Sequence, residues 1–335
     1  MNNYFQLSTE DKQLVLQQAS ARLGLPPQAI EKDLWVTTIL QIVFTLPFSD
    51  KLIFKGGTSL SKVWHQIERF SEDIDLAVDR SLFGMEGDLT KKQIKKLRKV
   101  SSLFVSEEFC PTLQKGIEQY GLSALCSIEP QPDGEGDNTY PEPRKIFVKY
   151  QSVCADSIEY LSPIVMSEIG ARSLLEPNQQ TNIRSMVEEL FPTIQTTLVD
   201  SQVATALASK TFLEKAFLLH ELFSVEGRGE NAERKSRHLY DLSRMMDKDF
   251  ALDAINDDEL WESIRHHREI FTSVRGMDYA PDVRKRIMLV PRSDIQTTWE
   301  NDYKSMCSSM IFGEKPTFKE LLERMALLEK HFHEA

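Results

Sequence analysis

Ser8 to Leu23 carries apolar residues at helical spacing and predicts an amphipathic helix, with Ser8 as N-cap and Asp11 three residues later. Leu25-Pro26-Pro27 breaks it, and Pro27 suits the first turn of a second helix to about Leu46 through Ile30, Leu34, Ile39, Ile42 and Val43. Pro47 and the polar Ser49-Asp50 end that helix. The short apolar run Lys51 to Lys55 predicts a strand, Thr58 to Ile67 a helix, and Asp73 to Val78 a second strand. Leu89 to Gln119 reads as a long helical region, basic at Lys91, Lys92, Lys95, Lys96, Arg98 and Lys99. Residues 129–143, rich in Pro, Gly and acid, predict a solvated loop. Lys145 to Ser152 alternates as a strand does, and a further strand is expected within 158–169. After Pro192 the pattern is helical almost to the end.

This layout is α+β: a small mixed β-sheet core with flanking helices, then a helical C-terminal domain. Its 335 residues suit two domains, placed at 1–199 and 200–335. Glycine, 14 of 335, is well below the usual ~7 % and disfavours a turn-rich all-β fold. The apolar stretch Leu34 to Phe48 is too short, and too broken by Thr37, Thr38 and Gln41, to span a bilayer. No basic stretch followed by an apolar run opens the chain, so no signal peptide is expected. The cysteines Cys110, Cys126, Cys154 and Cys307 lack zinc or dithiol spacing and read as reduced thiols of a cytoplasmic protein. A net charge of −11 excludes a general nucleic-acid coat but not a local basic groove.

The chemistry concentrates between Phe54 and Val78. Gly56-Gly57 lets backbone approach a phosphate, and the helix start that follows offers free N–H groups and a positive dipole end. Ser59 adds a hydroxyl, and Lys62 lies one turn further along. On a strand, Asp73 and Asp75 share one face, with Ile74 and Leu76 on the other. Two adjacent carboxylates repel unless a cation lies between them. Hard oxygen ligands of this kind suit Mg²⁺, which takes the rest of its shell from water and substrate phosphates. A phosphate loop followed by Asp-x-Asp is what metal-dependent nucleotidyl transfer requires. Taken alone, the two acids are also compatible with a solvated strand edge.

The segments FKGGTSLSKV and RFSEDIDL resemble the signature of the polymerase-β-type nucleotidyltransferase superfamily. More narrowly, the chain resembles the AbiEii/AbiGii family of abortive-infection toxins, which includes the MenT-type toxins. The likeness extends in order through AIEKDLW (29–35), VMSEIGARS (165–173), TFLEKAFLLH (211–220) and RHLYDL (237–242). The resemblance implies that Gly57 and Ser59, with Gly56 and Lys62 beside them, hold the triphosphate. It implies that Asp73 and Asp75 ligate Mg²⁺ with Glu168 as third acid, that Lys215 meets the nucleotide phosphates, and that Asp241 is a further active-site acid. It further implies a toxin that moves NMP from an NTP, GTP among the candidates, to an acceptor hydroxyl, with tRNA the first acceptor to test. A separate cognate antitoxin is implied as well.

The residues themselves are compatible. Thr211 to Glu214 has capping-box spacing, which predicts a helix starting there with Lys215 early in it, just off the stripe Phe212, Ala216, Leu219 and Phe223. Arg237 and Asp241 lie four apart on one helix face and could be a plain surface ion pair. His220 and His238 read as packing residues, His65 has no role, and Trp35 reads as core. The basic clusters at 91–99, 228–237 and 284–286 read as solvated faces or as strips for RNA. Attack at the γ phosphorus, modification of protein hydroxyls, and nucleotide binding without turnover remain as alternatives.

Overall fold

A computed structural model describes residues 2–154, 161–196 and 201–335. Two compact units emerge, Met1–Val63 with Phe70–Ala206, and Trp64–Arg69 with Leu207–Ala335. The expected boundary between residues 199 and 200 lies outside the described residues.

In the first unit, a two-residue strand β1 (Asn2–Asn3) precedes α1 (Thr9–Leu23). The expected cap is present, Ser8 Oγ accepting the Asp11 N–H at 3.1 Å, and Gly24 closes the helix in the left-handed conformation. Then follow α2 (Pro27–Val43), β2 (Leu52–Lys55), α3 (Gly56–Lys62) and β3 (Ile74–Val78). The basic region forms α4 (Lys91–Phe104) and α5 (Cys110–Gln119), joined by a π-helical turn at Val105–Phe109. The unit ends with β4 (Cys126–Pro130), β5 (Arg144–Tyr150), β6 (Ile164–Gly170), β7 (Asn178–Asn182), α6 (Met186–Leu190), β8 (Ile194–Gln195) and β9 (Gln202–Ala206).

Seven strands make one mixed sheet, in the order β4-β5-β6-β3-β2-β9-β7. β3 runs antiparallel to β2 and parallel to β6, and β2 runs parallel to β9. Leu76, Phe54, Ile169, Ile146 and Val148 are fully buried. Helix α2 packs against α5 and β6. Gly116 of α5 admits Ile42 of α2 so closely that a Cβ there would lie 2.8 Å from its Cγ2.

Three expectations change here. The helix expected over Thr58 to Ile67 ends at Lys62, because residues 64–69 belong to the second unit. Residues after Pro192 are not yet helical, since β9 inserts beside β2. The loop expected over 129–143 begins only after Pro130, because β4 pairs with β5. The strand expected within 158–169 is β6, beginning at Ile164, and residues 155–160 lie outside the described residues.

The second unit is helical: α7 (Ala208–Phe223), α8 (Ser236–Met245), α9 (Asp249–Asn256), α10 (Asp258–Phe271), α11 (Gln296–Ser309) and α12 (Phe318–Glu334). Helix α7 is buried on nearly every side. Its Phe217 stacks on Trp261 at 4.4 Å, and Trp261 meets Phe332 at 5.5 Å. The expected cap at Thr211 is not one: the helix begins three residues earlier, directly after β9, and the Thr211 hydroxyl donates to the Leu207 carbonyl. The inserted segment 64–69 is fastened by an antiparallel bridge between Arg69 and Ile311 and by the Phe312 and Gly313 amides donating to the Glu68 carbonyl.

Candidate functional site

Helix α2 supports the first unit's candidate residues with buried charges. Glu31, Lys32 and Asp33, consecutive in sequence, are all buried, a placement that costs stability unless each is paired. Glu31 accepts from the Val153 amide at 2.8 Å, and Lys32 pairs with Glu72 at 2.5 Å. Asp33 pairs with Lys62 at 2.6 Å and caps the Met186 amide at 2.7 Å. Lys62 also donates to the Arg184 carbonyl, so its ammonium is engaged by the scaffold. These pairs fix α3 and the turn before β3 to one helix.

Gly56 has φ +82°, and a Cβ there would lie 2.0 Å from Asp75 Oδ2. Only glycine fits both the backbone and the carboxylate packed against it. Ser59 is buried, its hydroxyl donating to the Gly56 carbonyl at 2.8 Å. Thr58 donates to the Asp73 carbonyl at 2.6 Å, tying α3 to the entry of β3. The first unit thus brings Asp75 against Gly56, with Ser59 closing the turn, while Asp73 lies just before β3, which begins at Ile74 and not at Asp73 as expected, and meets α3 through its carbonyl.

Register adds what spacing does not show. Asp75 lies opposite Lys55 on one side and Glu168 on the other, and Glu168 lies opposite Lys145. Directly opposed residues share a sheet face, so the row reads Lys55, Asp75, Glu168, Lys145. The Lys145 ammonium is 3.1 Å from Glu168. Among the described residues no three His, Cys, Asp or Glu side chains converge as a metal-holding group. A pair of carboxylates is nevertheless a fitting donor set for Mg²⁺, which needs only one or two beside water and phosphate oxygens.

The second unit brings together Lys215 and Asp241 around a residue to which the sequence assigned no role. Arg69 donates through Nε to Asp241 Oδ1 at 2.6 Å and through Nη2 to Oδ2 at 2.8 Å. Lys215 is 2.9 Å from Oδ2, and its ammonium lies 3.3 Å from His238 Nδ1. The Arg69 and Asp241 side chains are 1 % and 0 % exposed. Burial alone would raise the Asp241 carboxyl, but Arg69 and Lys215 hold it well below the usual carboxylate range. Burial pulls the Lys215 ammonium down against the pull of Asp241, with Arg69 and Arg237 adding to the fall. Burial, then Lys215 and Arg237, push His238 far below its ordinary value, which keeps it neutral. Arg237 is therefore not the partner of Asp241 that its four-residue spacing allowed.

Arg69 lies inside the RFSEDIDL island and Lys145 at the head of a strand. Only tertiary pairing distinguishes either from an ordinary surface cation.

The family model of the nucleotidyl transferase AbiEii toxins of type IV toxin–antitoxin (TA) systems matches residues 39–324. Among solved structures, the chain is similar to the nucleotidyltransferase toxin MenT4 of Mycobacterium tuberculosis, at 15 % identity and TM-score 0.48, over 98 % of this chain and 93 % of that one. It is also similar to a candidate nucleotidyltransferase from H. pylori, at 12 % identity and TM-score 0.42, over 92 % and 96 %. None of the curated protein sequences compared matches it.

Proposed function

The chain belongs to the AbiEii nucleotidyl transferase toxin family of type IV toxin–antitoxin systems, and on that premise we propose that it transfers NMP from an NTP to an acceptor hydroxyl of tRNA with Mg²⁺ bound. The observation that carries this reading is Asp75, packed against Gly56 of the phosphate-loop motif and side by side with Glu168.

Asp73 and Asp75 would hold the metal, and Glu168 would join them when its pair with Lys145 opens. Bound there, the metal supplies positive charge to the triphosphate and lowers the pKa of the attacking hydroxyl. The Gly56-Gly57 backbone and the first amides of α3 present donors to phosphate oxygens. Ser59 closes that turn through its bond to Gly56, and Lys62 holds α3 in place through Asp33. The acceptor oxygen forms a bond to the α phosphorus, the bond to the bridging oxygen breaks, pyrophosphate leaves, and the hydroxyl proton is lost.

In the second unit, Lys215 is the ammonium suited to offset the charge of an anion. Arg69 takes both oxygens of Asp241 and Lys215 meets one of them, so two cations on one carboxylate keep a surplus positive charge suited to an anion. Asp241 acts through Lys215 by fixing its ammonium. The family implies a nucleotide substrate and a cognate antitoxin, and we place the action in the cytoplasm, with GTP among the donors to test. Among the described residues no helix is long and apolar enough to cross a membrane.

The test incubates purified protein with Mg²⁺ and each α-labelled NTP in turn, with total RNA and total protein as acceptors. Label on a tRNA-sized band, lost in Asp75→Ala, is the expected result. Label on protein redirects the reading to hydroxyls of Ser, Thr or Tyr. Transfer only from γ-labelled nucleotide overturns attack at the α phosphorus, and binding without any transfer overturns catalysis.

A further inference from the structure

Helix α4 is built against its own stability. Its 14 residues, KKQIKKLRKVSSLF, contain no acid. Lys91, Lys92, Lys95, Lys96 and Lys99 are all exposed, and among the described residues none of them forms an ion pair. On other helices several cations are compensated four residues away, as in Lys304 with Glu300, Lys319 with Glu323 and Arg265 with Glu269. On α4 the corresponding neighbours are like charges, Lys91 with Lys95, Lys92 with Lys96 and Lys95 with Lys99, each pair repelling. Lys91 and Lys92 also lie in the first turn, where the helix dipole disfavours cations. The whole chain carries a net charge of −11, so this strip is not the spill-over of a basic composition.

At about 100° per residue, the five lysines cover roughly 140° of one helix face and about 12 Å of its length. Leu97, Ser101 and Phe104 occupy the buried side. The helix is anchored at its C-terminal end, where Arg144 donates to the Ser102 carbonyl and hydroxyl at 3.3 Å. Arg144 precedes Lys145, so the anchor lies at the end of β5 where Lys145 meets Glu168. Lys99 also lies 5.2 Å from the Tyr140 ring.

We propose that the lysine face of α4 is the surface on which the RNA acceptor docks, held by its phosphate backbone. A row of exposed lysines meets phosphates, and phosphate contacts position a polyanion without selecting sequence. This rests on the transferase reading, whose acceptor it specifies.

The experiment measures binding of labelled tRNA across a salt series, beside thermal melting and nucleotide affinity, for two full-length variants. In Lys91→Glu/Lys92→Glu the new acids complement the helix dipole and face Lys95 and Lys96. The expected result is a melting midpoint that holds or rises while tRNA affinity falls at least about tenfold. In Lys91→Gln/Lys95→Gln/Lys99→Gln, the slope of log affinity against log salt is expected to shrink by about two to three units. Nucleotide affinity is expected to hold in both. Unchanged tRNA affinity and slope in folded variants overturn the proposal. So does loss of an acidic protein partner with tRNA binding intact, which would make the face a protein interface. If wild type binds tRNA through α4 yet transfers no label from any NTP, the transferase reading fails and the docking surface stands.

Discussion

The two units treat a carboxylate in opposite ways. In the first, Asp75 and Glu168 lie side by side on neighbouring strands, half-buried, with lysines at the ends of the row. In the second, Asp241 is wholly buried with both oxygens taken by one arginine and a lysine on one of them. The same side chain is in one place a half-buried neighbour of a second acid and in the other a counter-ion whose cations are wired in. Substitution should therefore cost the first unit chemistry and the second unit structure.

The largest effect tests the first half of that contrast. Asp75→Ala is expected to lower label transfer by about 10³-fold or more, the loss of several kcal/mol of metal-assisted stabilisation. Its unfolding midpoint should not fall, because the repulsion between Asp75 and Glu168 is relieved. A large loss of stability would erase the distinction. Arg69→Met tests the other half, for it leaves Asp241 buried beside Lys215 alone. A cost of about 3–5 kcal/mol is expected in denaturant unfolding, and Arg69→Lys recovers only part of it because a bidentate site needs the guanidinium fork. Gly56→Ala touches the backbone beneath Asp75. The positive φ alone costs about 1–2 kcal/mol, and the displaced carboxylate should lower transfer by about ten- to a hundredfold more than the stability loss accounts for.

The smallest effect is a pH slope. Burial holds His220 of the second unit down to about 4, against 6.5 ordinarily, with its Nδ1 accepting the Met288 amide. Between those values the unfolded chain binds a proton that the folded chain refuses. Stability should therefore fall as pH drops from about 6.5 to 4, by up to about 1.4 kcal/mol per pH unit for this residue. His220→Gln should flatten that part of the curve in thermal melts, while Asp75→Ala should leave it unchanged.

The short helix after Gly56-Gly57, the acid strand and most helices were legible because each is local. Ser8, Pro27, the alternation before Val78 and the periodicity of 89–119 state their structure within a few residues. What was hidden depends on partners far along the chain. Asn178–Asn182, for which no element was predicted, is an edge strand because β9 offers it a ladder. Glu31-Lys32-Asp33, in view only as letters of AIEKDLW, is buried, each charge paired with a residue from about 30 to 150 positions away. Arg69 was in view as a letter of a motif, and only the position of Asp241 gives it work.

That last contact has a bearing on synthesis. Arg69 and Asp241 are 172 residues apart, so at about 5–20 residues per second the ribosome delivers the partner roughly ten seconds or more after the arginine. Until then the segment Trp64–Arg69 of the second unit lacks its buried counter-charge. A chain that stops before α8 leaves Arg69, 1 % exposed in the finished fold, without its carboxylate.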